Sequence, residues 1–180
     1  MKAETVPDTA RLILRLPRLD DAEAFAAINA DPEVVRYVST TGPLTRATSD
    51  LMLRKLLDEW ADHGLGWWMA ELRDTGDLIG FVGLGHPSAM PAVADEVEVG
   101  WRLGRAFWGQ GYATEGAAEA VRVAFEDRGL GRLVSIIDRD NEASLRVAEK
   151  LGFSYWRDVE HPRWPRPLQV LSLRPGTLKA

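Results

Sequence analysis

The 180-residue sequence contains no cysteine and only three histidines. The missing cysteines exclude disulfides, a thiolate nucleophile and cysteine-ligated metals. His63, His86 and His161 lie far apart with no ligand spacing between them, so no metal site is expected. Basic residues are also in deficit. Lys and Arg number 22 against 27 Asp and Glu, a net charge of −5, which is not the basic footprint of a nucleic-acid binder. No apolar run approaches the roughly 20 residues needed to cross a bilayer. The first ten residues, MKAETVPDTA, lack the apolar core of a secretory leader. Internal repeats, low-complexity tracts and linker-like stretches are absent as well. What remains is 46% hydrophobic content, enough for one real core. The expectation is a single cytoplasmic domain over residues 1–180, with neither membrane nor nucleic acid as partner.

Periodicity then supplies the elements. RLILRLP (11–17) alternates and predicts a strand; DDAEAFAAIN (20–29) opens with acidic residues that suit a helix N-terminus. Leu53, Leu56, Leu57 and Trp60 recur at helical spacing within 45–63. Strands are predicted at 66–72 and 78–85 around the turn DTGD, and at 96–103, where Val97, Val99, Trp101 and Leu103 share one face and Glu96, Glu98, Gly100 and Arg102 the other. A helix follows from Tyr112, then a buried strand at 132–138. Next comes a helix at 141–152 with Asn141 as N-cap and Gly152 at its end. Strands at 153–161 and 167–175 close the chain. The order β, α, α, β, β, β, α, β, α, β, β predicts an α+β fold. Its central sheet is mostly antiparallel, with helices packed on it.

FWGQGYATEG (107–116) puts glycines at 109 and 111 directly before the helix. One reading is a tight turn that needs glycine for its dihedrals. The other is an anion site, in which main-chain N–H groups and the helix dipole meet a phosphate without a Cβ in the way. The stretch is neither a Walker motif nor GxGxxG, because Thr114 stands three after Gly111.

The segments EVGWRLGRAFWGQGYATEGAAEAV and RDNEASLRVAEKLGF decide between them, because Glu96 to Phe153 resembles the GNAT superfamily of acyl-CoA-dependent N-acyltransferases. Within it the chain resembles the RimJ/RimL-like branch, the ribosomal-protein-alanine acetyltransferases. The superfamily loop pattern Arg/Gln-x-x-Gly-x-Gly/Ala falls on Trp108, Gly111 and Ala113, with Trp at the first position as is usual in that branch. The resemblance implies the GNAT fold with helices on both sheet faces, acetyl-CoA as cosubstrate, and transfer of its acetyl group to a primary amine in a ternary complex. The acceptor would be a protein N-terminus or a small amine, and a homodimer is compatible with it. It further implies that main chain from Trp108 through Gly109, Gln110, Gly111 and Tyr112 to Ala113 holds the pyrophosphate. Main chain around Trp101, Arg102 and Leu103 would pair with pantetheine in a gap between parallel strands.

Catalysis needs a neutral amine and a stabilised leaving thiolate. Many GNAT enzymes supply the acid from a tyrosine at the position occupied here by Ala148. Ser144, in an N-x-x-S pattern with Asn141, is the hydroxyl left on that helix, and Asn141 is expected both to cap and to contact cofactor. Glu98 stands where RimL-like enzymes carry an acidic residue proposed as base, directly or through water, and Glu96 shares its face. The plainer readings are a capping pair for Asn141 and Ser144, and a salt-bridged strand residue for Glu98. Tyr37 is placed nearest the acceptor, with specificity expected from the N-terminal third and from SYWRDVEHPRWPRP. An acyl-CoA-binding regulatory module without turnover is the alternative function.

Overall fold

A computed structural model describes residues 9–176. Most of the N-terminal stretch considered above as a leader lies outside them. The sheet has seven strands: β1 (Leu12–Arg15), β2 (Trp67–Leu72), β3 (Leu78–Gly85), β4 (Glu98–Leu103), β5 (Leu133–Ile137), β6 (Ser154–Val159) and β7 (Leu168–Leu173). They lie in the order β1-β2-β3-β4-β5-β7-β6. Every pairing is antiparallel except β4 with β5. This is the mixed, mostly antiparallel sheet that the short loops predict.

Helices cover both faces. On one, Phe25 of α1 (Ala22–Asn29) and Leu53 and Leu56 of α3 (Arg46–His63) pack on Met69 and Phe81. On the other, Ala117, Ala120 and Val121 of α4 (Tyr112–Arg122) and Ala148 of α5 (Glu142–Lys150) pack on Trp68, Val82, Val99 and Leu103. Small residues on α4 let that helix approach the sheet closely: a Cβ at Gly116 would sit 2.9 Å from Val82. The predicted cap forms: Asn141 accepts from the Ser144 N–H, and Gly152 follows α5 in the left-handed conformation. On α3, Thr45 accepts from the Thr48 N–H and Gly64 ends the helix in the same conformation.

Two local features depart from expectation. The loop after α1 contains a further turn of helix, α2 (Pro32–Val35), started by Asp31 accepting from the Glu33 N–H and by Pro32 at its first position. β4 begins at Glu98 rather than Glu96. Among the described residues no helix is long and apolar enough to cross a membrane.

Candidate active site

β4 and β5 meet at a single register pair, Glu98 with Val134, supported by the Val134 N–H on the Val97 carbonyl at 2.9 Å. Beyond it the two parallel strands separate. α4 starts after β4 and α5 after β5, so both helix N-termini face the crevice at the strands' carboxyl ends, where open sheets place ligands. A cleft of about 700 Å³ occupies it, lined among others by Trp101, Leu103, Trp108, Gly109, Gly111, Ala113, Asn141, Ser144 and Tyr37. That volume suits a large, extended guest.

The main chain of β4 alternates in direction. The Val97 carbonyl faces β5, and the Gly104 N–H faces the Ile79 carbonyl on β3. Period two then turns Val99, Trp101 and Leu103 toward the gap. The Leu103 carbonyl is taken by the Trp108 indole N–H at 2.8 Å, which leaves the Trp101 amide group open to a strand-like partner. Arg102 corrects the sequence reading. Its carbonyl points to β3, so closely that a Cβ on Gly80 would lie 2.1 Å from it. Its main chain is therefore spent on the ladder, and only its side chain reaches the cleft.

The glycine junction has the geometry that both of its readings need. Gly109 and Gly111 have φ of 73° and 85°, the left-handed region that favours glycine. The turn they make leaves the amides of Gly109, Gln110, Gly111, Tyr112 and Ala113 without acceptors among the described residues. The first main-chain bond of α4 runs from the Glu115 N–H to the Gly111 carbonyl. The Trp108 amide is different: it bonds the Arg105 carbonyl at 3.2 Å and is not part of the free set. Gln110 keeps its side chain on the Ala106 carbonyl, outside the cleft lining. These free donors at a helix N-terminus suit an anion.

Arg11 was not legible as part of the site. Its guanidinium bonds the Gln110 carbonyl (2.9 Å) and the Glu115 carboxylate (2.7 Å) and lies 4.4 Å from the centre of the Tyr112 ring. From the start of β1 it braces the loop across a separation of about 100 residues. Only tertiary structure brings it there.

On the α1/α3 face of β4, Glu98 is half-buried and has no ion-pair partner among the described residues. Burial pushes its pKa up to about 7; the Ile136 N–H offsets part of this, and the neighbouring Glu59 carboxylate adds to it. Glu96, the competing base, pairs with Arg132, and neither Glu96 nor Glu98 is among the residues that line the cleft. Arg102 shares Glu98's face, and burial pulls its pKa down to about 10.

On α5, the Asn141 carbonyl oxygen is spent on capping, while the Ser144 hydroxyl has no partner among the described residues and lines the cleft. Ala148 is fully buried in the core, so that position offers the cleft no acid. Tyr37, on the turn after α2, lines the cleft with Val34, Arg36 and Val38. The PRWPRP loop does not: the Trp164 indole and the Arg166 guanidinium hold it on Asp138. Trp68 is a core residue, its ring tilted against that of Trp60 with centroids 5.3 Å apart.

The family model described as "Acetyltransferase (GNAT) domain" matches residues 11–154. The chain is 30% identical to the uncharacterized protein YkkB of Bacillus subtilis (strain 168), over 94% of this chain and 96% of that one. It is 31% identical to the FsC-acetyl coenzyme A-N(2)-transacetylase of Aspergillus fumigatus, over 86% of this chain and 67% of that one. Among solved structures, an acetyltransferase from Agrobacterium tumefaciens str. C58 superposes with a TM-score of 0.79 at 31% identity, over 93% of this chain and 92% of that one. The fold and the cleft thus define an acyltransferase class. The chain belongs to the GNAT acetyltransferase family, whose enzymes use acetyl-CoA and act on amines.

Proposed function

We propose that this enzyme acetylates a primary α-amine, of a peptide terminus or a small molecule, by direct attack in a ternary complex, in the manner of the RimJ/RimL-like branch. The carrying observation is the parting of β4 from β5, which opens free main chain and α4 amides onto one cleft, with Glu98 at the last paired point of the two strands. Acetyl-CoA supplies an activated acetyl thioester. The amides of Gly109 to Ala113 bind its pyrophosphate, the Trp101 main chain pairs with its pantetheine arm, and the free Asn141 amide nitrogen lies within reach at the head of α5. Glu98 accepts the ammonium proton, directly or through water. Ser144 Oγ–H donates toward the leaving sulfur as negative charge gathers there.

The height of Glu98 on the pKa scale supports an α-amine. An α-ammonium at about 7.7–8.0 lies within about one unit of a base near 7, whereas a lysine ammonium at about 10.4 lies more than three units away. At 1.36 kcal/mol per unit, proton transfer from lysine costs about 3.5 kcal/mol more.

Ser144→Ala tests the acid. Its kcat is expected to fall about 10-fold to 100-fold while acetyl-CoA affinity stays within about two-fold, because the hydroxyl acts mainly as charge develops. Thiol release against an amine panel, with calorimetry of acetyl-CoA, measures both. A wild-type rate would make Ser144 a helix residue only. No thiol release with any amine, despite tight acetyl-CoA binding, would favour a regulatory acyl-CoA binder.

A further inference from the structure

Three buried side-chain atoms lack a hydrogen-bond partner among the described residues: Asn29 Nδ2, Ser49 Oγ and Arg102 Nε. They belong to one region. The Arg102 Nη1 donates to Asn29 Oδ1 at 2.8 Å and lies 3.6 Å from the Met52 sulfur, and Ser49 stands one turn before Met52 on α3. Buried polar groups in folded proteins are nearly always satisfied, so a set of orphans in one place calls for an explanation. All three atoms can donate, and Nδ2 and Nε can do nothing else. All three are sealed from solvent, so a guest reaches this cluster only through Arg102 Nη2, which is not among the sealed atoms and has no partner among the described residues.

The guanidinium narrows its chemistry. No carboxylate pairs with Arg102 among the described residues; its other neighbour is the Phe81 ring, at 5.2 Å. Nη1 is occupied by Asn29 and Nε is sealed, so Nη2 is the open donor. A cationic N–H of this kind makes a charge-assisted hydrogen bond to a carboxylate oxygen. Arg102 also lines the acetyl-transfer cleft. It shares a face of β4 with Glu98 four residues away, about 13 Å between Cα atoms at strand spacing. Tyr37, the residue expected nearest the acceptor, lines the same cleft.

We propose that Arg102, held in place by Asn29, is a carboxylate-recognition subsite that selects an acceptor bearing an acid group several bonds from its reactive amine. This rests on the acetyltransfer reading above and adds the substrate class. Arg102 is a specificity residue here, not a catalytic one, because it sits apart from the reacting atoms. An unpaired cation in this position is costly without its anion, so the subsite is held ready by the surrounding fold.

Matched probes isolate the acid group. Alanyl-glutamate amide and alanyl-glutamine amide share the same α-amine and shape and differ only in carboxylate against carboxamide. The wild-type enzyme is expected to prefer the carboxylate at least 10-fold in kcat/KM. In Arg102→Gln the ratio is expected to fall to near one. With CoA bound, the carboxylate probe should raise the wild-type melting temperature more than its isostere does, and this difference should vanish in the variant. Calorimetry of acetyl-CoA on both proteins reports whether the variant is folded. Equal use of the two probes by the wild type overturns the proposal, whatever the variant does. So does turnover of neutral amines with neither probe accepted. Absence of thiol release with every amine tried would instead sink the acetyltransfer reading on which the subsite rests.

Discussion

Glu98→Gln is expected to cost activity and gain stability, and the two effects should have opposite dependence on pH. At pH 7, kcat/KM should fall about 10-fold with an α-amine acceptor and 100-fold or more with a lysine-type amine, within the usual range for a general base. Raising the pH toward the acceptor's own pKa should restore most of it, since solvent then supplies neutral amine. The wild-type profile should rise through about pH 7, where Glu98 loses its proton. Stability runs the other way. The folded pKa of about 7 lies above the about 4.3 of an unfolded chain, so folding favours the protonated acid. That contribution is fully present below about pH 4 and is lost as the pH rises through 7. Glutamine carries no charge to desolvate. The variant should therefore melt several degrees above wild type at pH 8, roughly 1–3 kcal/mol, and match it near pH 4. A pH-independent loss of activity with a lower melting temperature would remove Glu98 from the chemistry and give it a structural role.

That result separates two readings that the sequence leaves level. Strict alternation in EVEVGWRL placed Glu96 and Glu98 on one face, and nothing local distinguishes them. The fold does. Glu96 falls before β4 begins and meets Arg132, 36 residues away, while Glu98 lies at the one point where β4 and β5 still touch. The same division runs through the site. Features set by a few consecutive residues were legible: the Asn141 cap, the glycine turn, the start of α4 at Tyr112, the strand order of the first half. Features made by distant residues were not. Arg11 reaches the anion loop from the other end of the chain, and Asn29 meets Arg102 across 73 residues. Periodicity reports which face is buried, not which partner waits there. α2 is the exception. Asp31-Pro32-Glu33 carries a cap and a first-turn proline, and its single helical turn is too short to show a period.

The glycine junction yields the last expected result, because the fold offers a substitution that divides its two roles. Gly109 has φ of 73°, and a Cβ there would meet nothing within 4 Å. Asparagine adopts the left-handed region more readily than other side chains. Gly109→Asn should therefore keep the turn and melt within a degree or two of wild type. If the turn exists only to join β4 to α4, acetyl-CoA affinity will be unchanged. If the open space over Gly109 is where the pyrophosphate sits on free amides, the new side chain stands in its path. Affinity should then drop about 10-fold to 100-fold, equivalent to ~1.4–2.8 kcal/mol. Gly111→Val provides the contrast. Its Cβ would lie 3.3 Å from the Arg11 guanidinium, at a φ of 85° that a β-branched residue rarely adopts. That variant should lose stability and binding together, by breaking the loop's brace. Calorimetry of acetyl-CoA alongside melting curves tells the cases apart. Full affinity in Gly109→Asn would place the pyrophosphate elsewhere and reduce the glycines to dihedral duty.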